Sequence, residues 1–403
     1  MSFQPSSNWL RLSLTEGLGP TRLLRLLRAF GGPAEILATP ATHLAAIVDA
    51  AIAARIHAAD PVRDARVAAS LQWLAGAPDR HLLTLDDAAY PPAWLALADA
   101  PPCVMVRGRL DALAVPSIAI VGSRHASTSG ARTAHEFAAS LAREGWSIAS
   151  GLALGIDAAA HAGALDAGAP TVAFVGTGLD QDYPARNRGL AQRIAATGAI
   201  VSEYALGMEP LAGNFPRRNR LIAAHARGVL VVEAARQSGS LITAMEAVGL
   251  GREVFAVPGS IHSPLARGCH WLIRQGAKLV EEVADVRDEF PPELRPRAMT
   301  RTAPGSSAGT AAPAGGPAPA PGSAAAAALA GLGWDPASPD ELAHRLQSGV
   351  PALLGALLEL ELAGLVERLS DGRYRRCATG CADAGTARPG GRARVARPVD
   401  RPV

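Results

Sequence analysis

Lysine is almost absent from this chain: among 39 basic residues only Lys278 is not an arginine. Abundant Ala and Gly accompany this bias, as GC-rich coding would give. Arg is also the residue suited to gripping phosphate while stacking on a ring. Aromatics make up only 4% of the residues. The four cysteines, Cys103, Cys269, Cys377 and Cys381, are too few and scattered for a disulfide scaffold, so a reducing, cytoplasmic setting is expected. Cys377 and Cys381 could form half of a zinc site, but no second pair or nearby histidines supply four ligands, so no metal is expected. No window approaches the ~18 consecutive apolar residues of a membrane span, so no membrane insertion is expected. The start, MSFQPSSNWLRLSL, lacks a basic stretch followed by an apolar core, so no signal peptide is expected. Formal net charge is only +3; the seven Arg and two Asp from Arg375 onward contribute +5, leaving −2 on the rest. A uniformly basic nucleic-acid coat is thereby excluded, and a polyanion must meet a local pocket.

What is present is 403 residues, 49% of them hydrophobic, enough for several domains at about 100–200 residues each. Residues 1–79 read as short helices, with Leu12, Leu23, Leu24, Leu26 and Leu27 around a Gly17–Gly19–Pro20 turn. The pattern is helix-hairpin-helix-like; a bundle packed on the rest of the chain is favoured over a phosphate-gripping hairpin. Residues 80–116 carry two short strands, LLTL and CVMVRG, around DDAAYPPAWL, and are expected to form a small connecting subdomain. From 117 to 290, apolar runs (IAIVGS, WSIASG, TVAFVG, AIVSEY, GVLVVEA, EVFAVPG, KLVEEV) alternate with amphipathic helical windows. That alternation predicts an α/β domain with a Rossmann-like, doubly wound parallel sheet. Residues 291–325, rich in Pro, Ala, Gly and Ser, read as a disordered linker. Residues 326–376 read helix, helix, helix, hairpin, a C-terminal winged helix, and 377–403 as a disordered basic tail.

In such a sheet ligands bind where loops gather at the carboxyl ends of the strands. The first loop, Gly122-Ser123-Arg124, leads into a helix near Ser129, a glycine turn that favours phosphate. It is not the dinucleotide fingerprint: G-x-G-x-x-G is missing, and the second strand ends in Ser150–Gly151 rather than a ribose-binding acid. No P-loop occurs either, so no cofactor and no ATPase activity are expected. Asp157 and His161 share a helix face and could do acid–base work; without a nucleophile or metal ligand beside them, a structural role is favoured. Later loops bring Tyr183, Arg186 and Asn187, then Phe215, Arg217, Arg218, Asn219 and Arg220, and finally Ser238, Gly239 and Ser240 as a second anion cradle. Arginines interleaved with Tyr183 and Phe215 suit single-stranded nucleic acid, with Arg on phosphates and rings on bases.

Taken in order, IAIVGSR, SGLALGIDAAAH, GTGLDQDYPARN, SEYALGMEP, NFPRRNRLIAAHA, VVEAARQSGSLITA, GREVFAVPGS and GCHWLIRQGAKLV resemble the DNA-processing protein A (DprA/Smf) family across essentially all of 117–285. The resemblance implies a cytoplasmic homodimer, not an enzyme, that binds single-stranded DNA in natural transformation and helps load the RecA recombinase. It carries the family's DNA-binding motifs onto Gly122, Ser123 and Arg124, onto Phe215, Pro216, Arg218, Asn219 and Arg220, and onto Ser238, Gly239 and Ser240. His270 stands where many members have Asn and is left out of the site. The third helix of the expected winged helix, VPALLGALLELELAGLV, has no basic residue and carries Glu359 and Glu361. It is expected to contact protein rather than read a groove, with Arg373, Arg375 and Arg376 in the wing available to phosphates. The alternative is a nucleoside monophosphate phosphoribohydrolase-like enzyme on a related scaffold, with Glu246 as the candidate acid. Arg124 and Arg220 are expected to serve binding without being needed for folding.

Overall fold

Apolar runs too short for a helix and rich in Val, Ile and Ala become the strands of one sheet. They are β1 (Arg80–Thr84), β2 (Cys103–Gly108), β3 (Ser117–Val121), β4 (Ser147–Ser150), β5 (Thr171–Phe174), β6 (Ala199–Ser202), β7 (Gly228–Val231), β8 (Glu253–Ala256) and β9 (Lys278–Leu279). The computed structural model describes residues 4–296, 319–332, 336–369 and 372–376, in two units that divide between Gly305 and Ser306. Strands β3 to β7 are buried at every position, as strands covered on both faces must be.

The sheet order is β1-β2-β6-β5-β4-β3-β7-β8-β9. From β6 to β9 every pairing is parallel, which bears out the doubly wound expectation. Two differences follow from edges. Residues 80–116 do not stand apart: β2 pairs antiparallel with β6, Val106 opposite Val201, and β1 pairs antiparallel with β2. The reason is the otherwise open edge of β6, a row of unpaired backbone groups beside buried Val and Ile. Trp94, fully buried against the rings of Tyr90, Phe174 and His225 at 5.3–6.0 Å, fastens this segment down. At the other edge KLVEEV pairs only through Lys278–Leu279, because Glu282 turns out to cap the next helix in a capping box with Asp285.

Six helices precede the sheet: α1 (Gln4–Ser13), α2 (Gly19–Phe30), α3 (Pro33–Ala38), α4 (Ala41–Leu44), α5 (Ala50–His57) and α6 (Pro61–Ala75). Leu12, Leu18, Leu23, Leu26, Ile36, Leu44, Ile52 and Ile56 form their own core. Leu10 of α1 and Val67 of α6 instead join Met105, Ala173 and Ile200 of the sheet. The helices are therefore a bundle packed on the sheet. Between strands run α7 (Thr128–Arg143), α8 (Ile156–Asp166), α9 (Arg188–Thr197), α10 (Asn214–His225), α11 (Gly239–Gly249) and α12 (Arg267–Arg274), followed by α13 (Val283–Arg287).

The second unit contains α14 (Ala324–Leu332), α15 (Pro339–Leu346) and α16 (Val350–Leu362), then β10 (Val366–Arg368) paired antiparallel with β11 (Tyr374–Arg376). Leu342, Leu353, Leu357, Leu360 and Tyr374 lie in its core. This is the expected winged-helix order. Arg375 is not available to phosphate as expected, since both its Nε and Nη2 bond Glu367 across the hairpin. The middle of the expected linker and the basic tail lie outside the described residues, as do Cys377 and Cys381. Among the described residues no helix is long and apolar enough to cross a membrane.

Candidate nucleic-acid interface

Strand β3 has β4 on one side and β7 on the other. The loops leaving β3 and β7 therefore run apart, and a crevice opens between them at the switch point of the sheet. There a cleft of about 670 Å³ is lined by Gly122, Ser123, Arg124, Tyr183, Phe215, Arg218, Asn219, Ser238, Gly239 and Ser240. Four separate loops or helix starts thus meet in one place.

Its working face is cationic and aromatic. The exposed Arg124 guanidinium lies 5.2 Å from the centroid of the Phe215 ring, and the Tyr183 ring lies 5.6 Å from Phe215 at 36°. Such contacts hold a cation over a π face without neutralising it. Beneath them Arg218 is 5% exposed and donates to the Phe174 carbonyl, while its Nε has no partner in the described structure. Burial lowers its pKa to about 10, with Asp157 opposing and Arg124 adding to the shift, so it stays charged at neutral pH. A recess of about 70 Å³ opens beside it between Gly151, Gly176, Tyr183 and Phe215. Glycine suits both walls: a Cβ on Gly151 would overlap the Arg218 guanidinium, and one on Gly176 would crowd the Phe215 ring at 3.2 Å. On the opposite wall Ser238 caps α11, accepting from Ser240 N at 3.3 Å, and Asn219 donates to the Gly239 carbonyl at 3.3 Å.

Three expected residues fall elsewhere. Arg220, two positions after Arg218 on α10, does not line the cleft but the groove beside it. It is 6% exposed, and its Nε and Nη2 bond Asp99 and Glu203 at 2.9 and 2.8 Å. Burial works against its charge, but Glu203 and Asp99 outweigh it and hold it protonated. The two-residue step, about 200° on a helix, is why adjacent motif arginines part company. Asn187 is buried and donates to the carbonyls of Leu152 and Ala153 at 2.9 and 3.2 Å. It thereby holds Leu152 in a left-handed turn at φ 57°, a conformation that costs a branched side chain roughly 1–3 kcal/mol. Arg186 is exposed on the same loop but does not line the cleft.

The other candidates have structural places. Asp157 accepts from Gly151 N at 3.0 Å; burial raises its pKa against the pull of Arg218. His161 is fully buried, bonded to Thr171 Oγ1 at 2.7 Å, with its pKa lowered by burial to about 3. The two do not bond each other, and His161 is no base at neutral pH. Glu246 lies outside the cleft, in a neighbouring groove of about 970 Å³ that also holds Asp99, Leu241, Met245 and Trp271. His270 bonds the Gly259 carbonyl at 2.9 Å. The phosphate cradle expected at the start of α7 is already filled: the Glu233 carboxylate accepts from Ser127 N and Oγ at 2.9 and 2.6 Å. Sequence reasoning placed Gly151 and Gly176 in loops of this sheet edge without assigning them to the site, and it missed Glu233, whose only sign was an acid two residues past a strand.

The chain has counterparts among known proteins. The family model for DNA recombination-mediator protein A matches residues 81–291, and that for the DprA winged helix domain matches residues 312–372. Protein Smf of Escherichia coli (strain K12) is 42% identical over 310 residues, covering 77% of this chain and 80% of that protein. The DNA processing protein DprA of Streptococcus pneumoniae is 48% identical over 206 residues, covering 51% and 72%. The X-ray structure of DNA processing protein A from Streptococcus pneumoniae superposes with a TM-score of 0.63 at 38% identity, covering 70% of this chain and 98% of that one. With both globular units matched in order, the chain belongs to the DNA recombination-mediator protein A family, the DprA/Smf proteins.

Proposed function

We propose that the cleft binds single-stranded DNA, with Arg124 and Arg218 meeting phosphates or base edges and Tyr183 and Phe215 stacking on bases. One observation carries this reading: the exposed Arg124 lies over Phe215 beside Tyr183, above a buried and charged Arg218. Stacking needs an unpaired base, so the site favours single strands over duplex; each stacked base contributes ~1–3 kcal/mol. Gly122, Ser123, Asn219, Ser238, Gly239 and Ser240 shape the walls of the site. Asn187 and Arg220 support it from behind, and Arg186 stands on its approach. Family membership supports the wider role of a cytoplasmic homodimer that protects incoming DNA and loads RecA in transformation and recombination. The primary test compares a labelled oligothymidylate with blunt duplex of equal length by fluorescence anisotropy at two salt concentrations. Tighter single-strand binding that weakens with salt is the expected result; equal affinities or a flat salt response would sink the reading. For the wider role, the protein is added to RecA on strands coated with single-strand-binding protein, where faster filament growth is expected.

A further inference from the structure

The Rossmann-like crevice has two helix starts that could take an anion, those of α7 and α11, and they differ in one respect. The α11 start opens on the cleft through Ser238, Gly239 and Ser240. The α7 start is closed by a carboxylate from the chain itself. Glu233 lies two residues past β7 and bridges the diverging loops at three points. Its backbone carbonyl accepts from Ser123 N at 2.7 Å. Its Oε2 accepts from Ser127 N at 2.9 Å, and its Oε1 accepts from Ser127 Oγ at 2.6 Å. Ser127 Oγ in turn accepts from Gly130 N at 2.9 Å, completing the cap of α7. Gly130 makes the fit possible, because a Cβ there would overlap the carboxylate. The residues held at both ends by Glu233 are those carrying Arg124.

From this geometry we infer that Glu233 is a positioning and selectivity residue: a built-in anion that occupies the α7 cradle, holds the Arg124 loop in place, and keeps free phosphate and mononucleotides out of that helix start. The inference rests on the cleft binding single-stranded DNA, and it explains a preference for polymer. With the α7 cradle filled, a mononucleotide can anchor its phosphate at the α11 start alone. What is left is Arg124, Arg218 and the α11 start, spread across the cleft. A continuous strand can span these points with several phosphates at once, whereas a single phosphate gains from only one.

The test uses the full chain with Glu233→Ala, Glu233→Gln and Gly130→Ala, a labelled oligothymidylate, and inorganic phosphate and dTMP as competitors at constant ionic strength. In Glu233→Ala the oligonucleotide affinity should drop about tenfold, the size of one lost charge-assisted hydrogen bond. Millimolar phosphate should bind the emptied cradle as a site the parent protein lacks, seen directly by calorimetry without DNA. Gln keeps the shape and an acceptor for Ser127, so Glu233→Gln should bind the oligonucleotide within about twofold of the parent. Gly130→Ala evicts the carboxylate while favouring the helix, so it should weaken oligonucleotide binding without admitting phosphate, and it serves if Glu233→Ala does not fold. A parent protein that ignores single strands would refute the cleft reading. A parent that binds them, with both Glu233→Ala and Gly130→Ala binding equally well and no added phosphate site in Glu233→Ala, would refute the role of Glu233 alone.

Discussion

Arg124 and Arg220 carry the same charge and both sit in family motifs, yet replacing each with Ala should do opposite things. Arg220 is the centre of a buried cluster, bonded to Asp99 at 2.9 Å and to Glu203 at 2.8 Å. Deleting one partner of a buried pair costs about 3–5 kcal/mol, because the remaining charge is stranded. The Asp99 side chain is 35% exposed and can rehydrate, but that of Glu203 is only 8% exposed and cannot. The loss should therefore lie near the lower end, about 3 kcal/mol. At roughly 2–4 °C per kcal/mol in a unit this large, the midpoint should fall by about 6–12 °C. The pH response follows from Glu203, whose pKa burial raises while Arg220 opposes the rise. Without Arg220 the folded-state pKa climbs further, and a carboxyl with a raised folded pKa destabilises the fold above its unfolded pKa. The deficit of Arg220→Ala should thus be larger at pH 8 than at pH 5, where Glu203 takes up its proton. Arg124 is exposed with no ion pair among the described residues, so Arg124→Ala should melt within about 0.5 kcal/mol of the parent and lose oligonucleotide affinity instead. Thermal scans at both pH values, with anisotropy below either midpoint, separate the cases. An Arg220→Ala protein that melts like the parent but no longer binds DNA would refute the division of labour.

Three further outcomes are expected. With Arg124 and Arg218 at the cleft, about two phosphates should be neutralised, giving a slope of about −1.4 in a log–log plot of single-strand affinity against salt. Arg124→Ala should make that slope shallower by about 0.7. Replacing Phe215 with Ala should cost about 1–3 kcal/mol of binding for the stacked base and also free Arg124, while urea unfolding changes little. His161 and His225 are held neutral by burial, with pKa values lowered to about 3 and about 4. Their contribution to stability is complete above the unfolded pKa of about 6.5 and is lost as pH falls toward these values, at about 1.4 kcal/mol per pH unit each. His225→Phe, which also removes two unpaired ring nitrogens, should flatten that acid slope in urea titrations by about half and leave neutral stability intact.

Strand alternation was legible because each run from β3 to β7 is short, largely apolar and free of charge, as a doubly covered sheet requires. The fate of residues 80–116 was not: LLTL and CVMVRG announce strands but not partners. Pairing with β6 depends on which edge the rest of the sheet leaves open. The cleft residues were found because glycine, arginine and ring residues sit directly after strands, where loops converge. Arg218 and Arg220 could not be told apart by type; helical phase decides, and the acids that capture Arg220 come from 121 and 17 residues away. Glu233 escaped notice for a related reason. Its partner Ser127 is 106 residues distant, and an acid is the last residue type one looks for in a phosphate cradle.

The antiparallel cover on β6 has a practical consequence for dissecting this chain. Cutting at Ser117, where the strand–helix alternation begins, would remove β1, β2, Trp94 and its aromatic clasp. It would leave Ala199–Ser202 as a naked edge of buried-type residues, a template for pairing with the same edge of another molecule. Such a fragment is expected to aggregate, whereas one that keeps β1, β2 and the helices covering Met105, Ala173 and Ile200 should stay monodisperse.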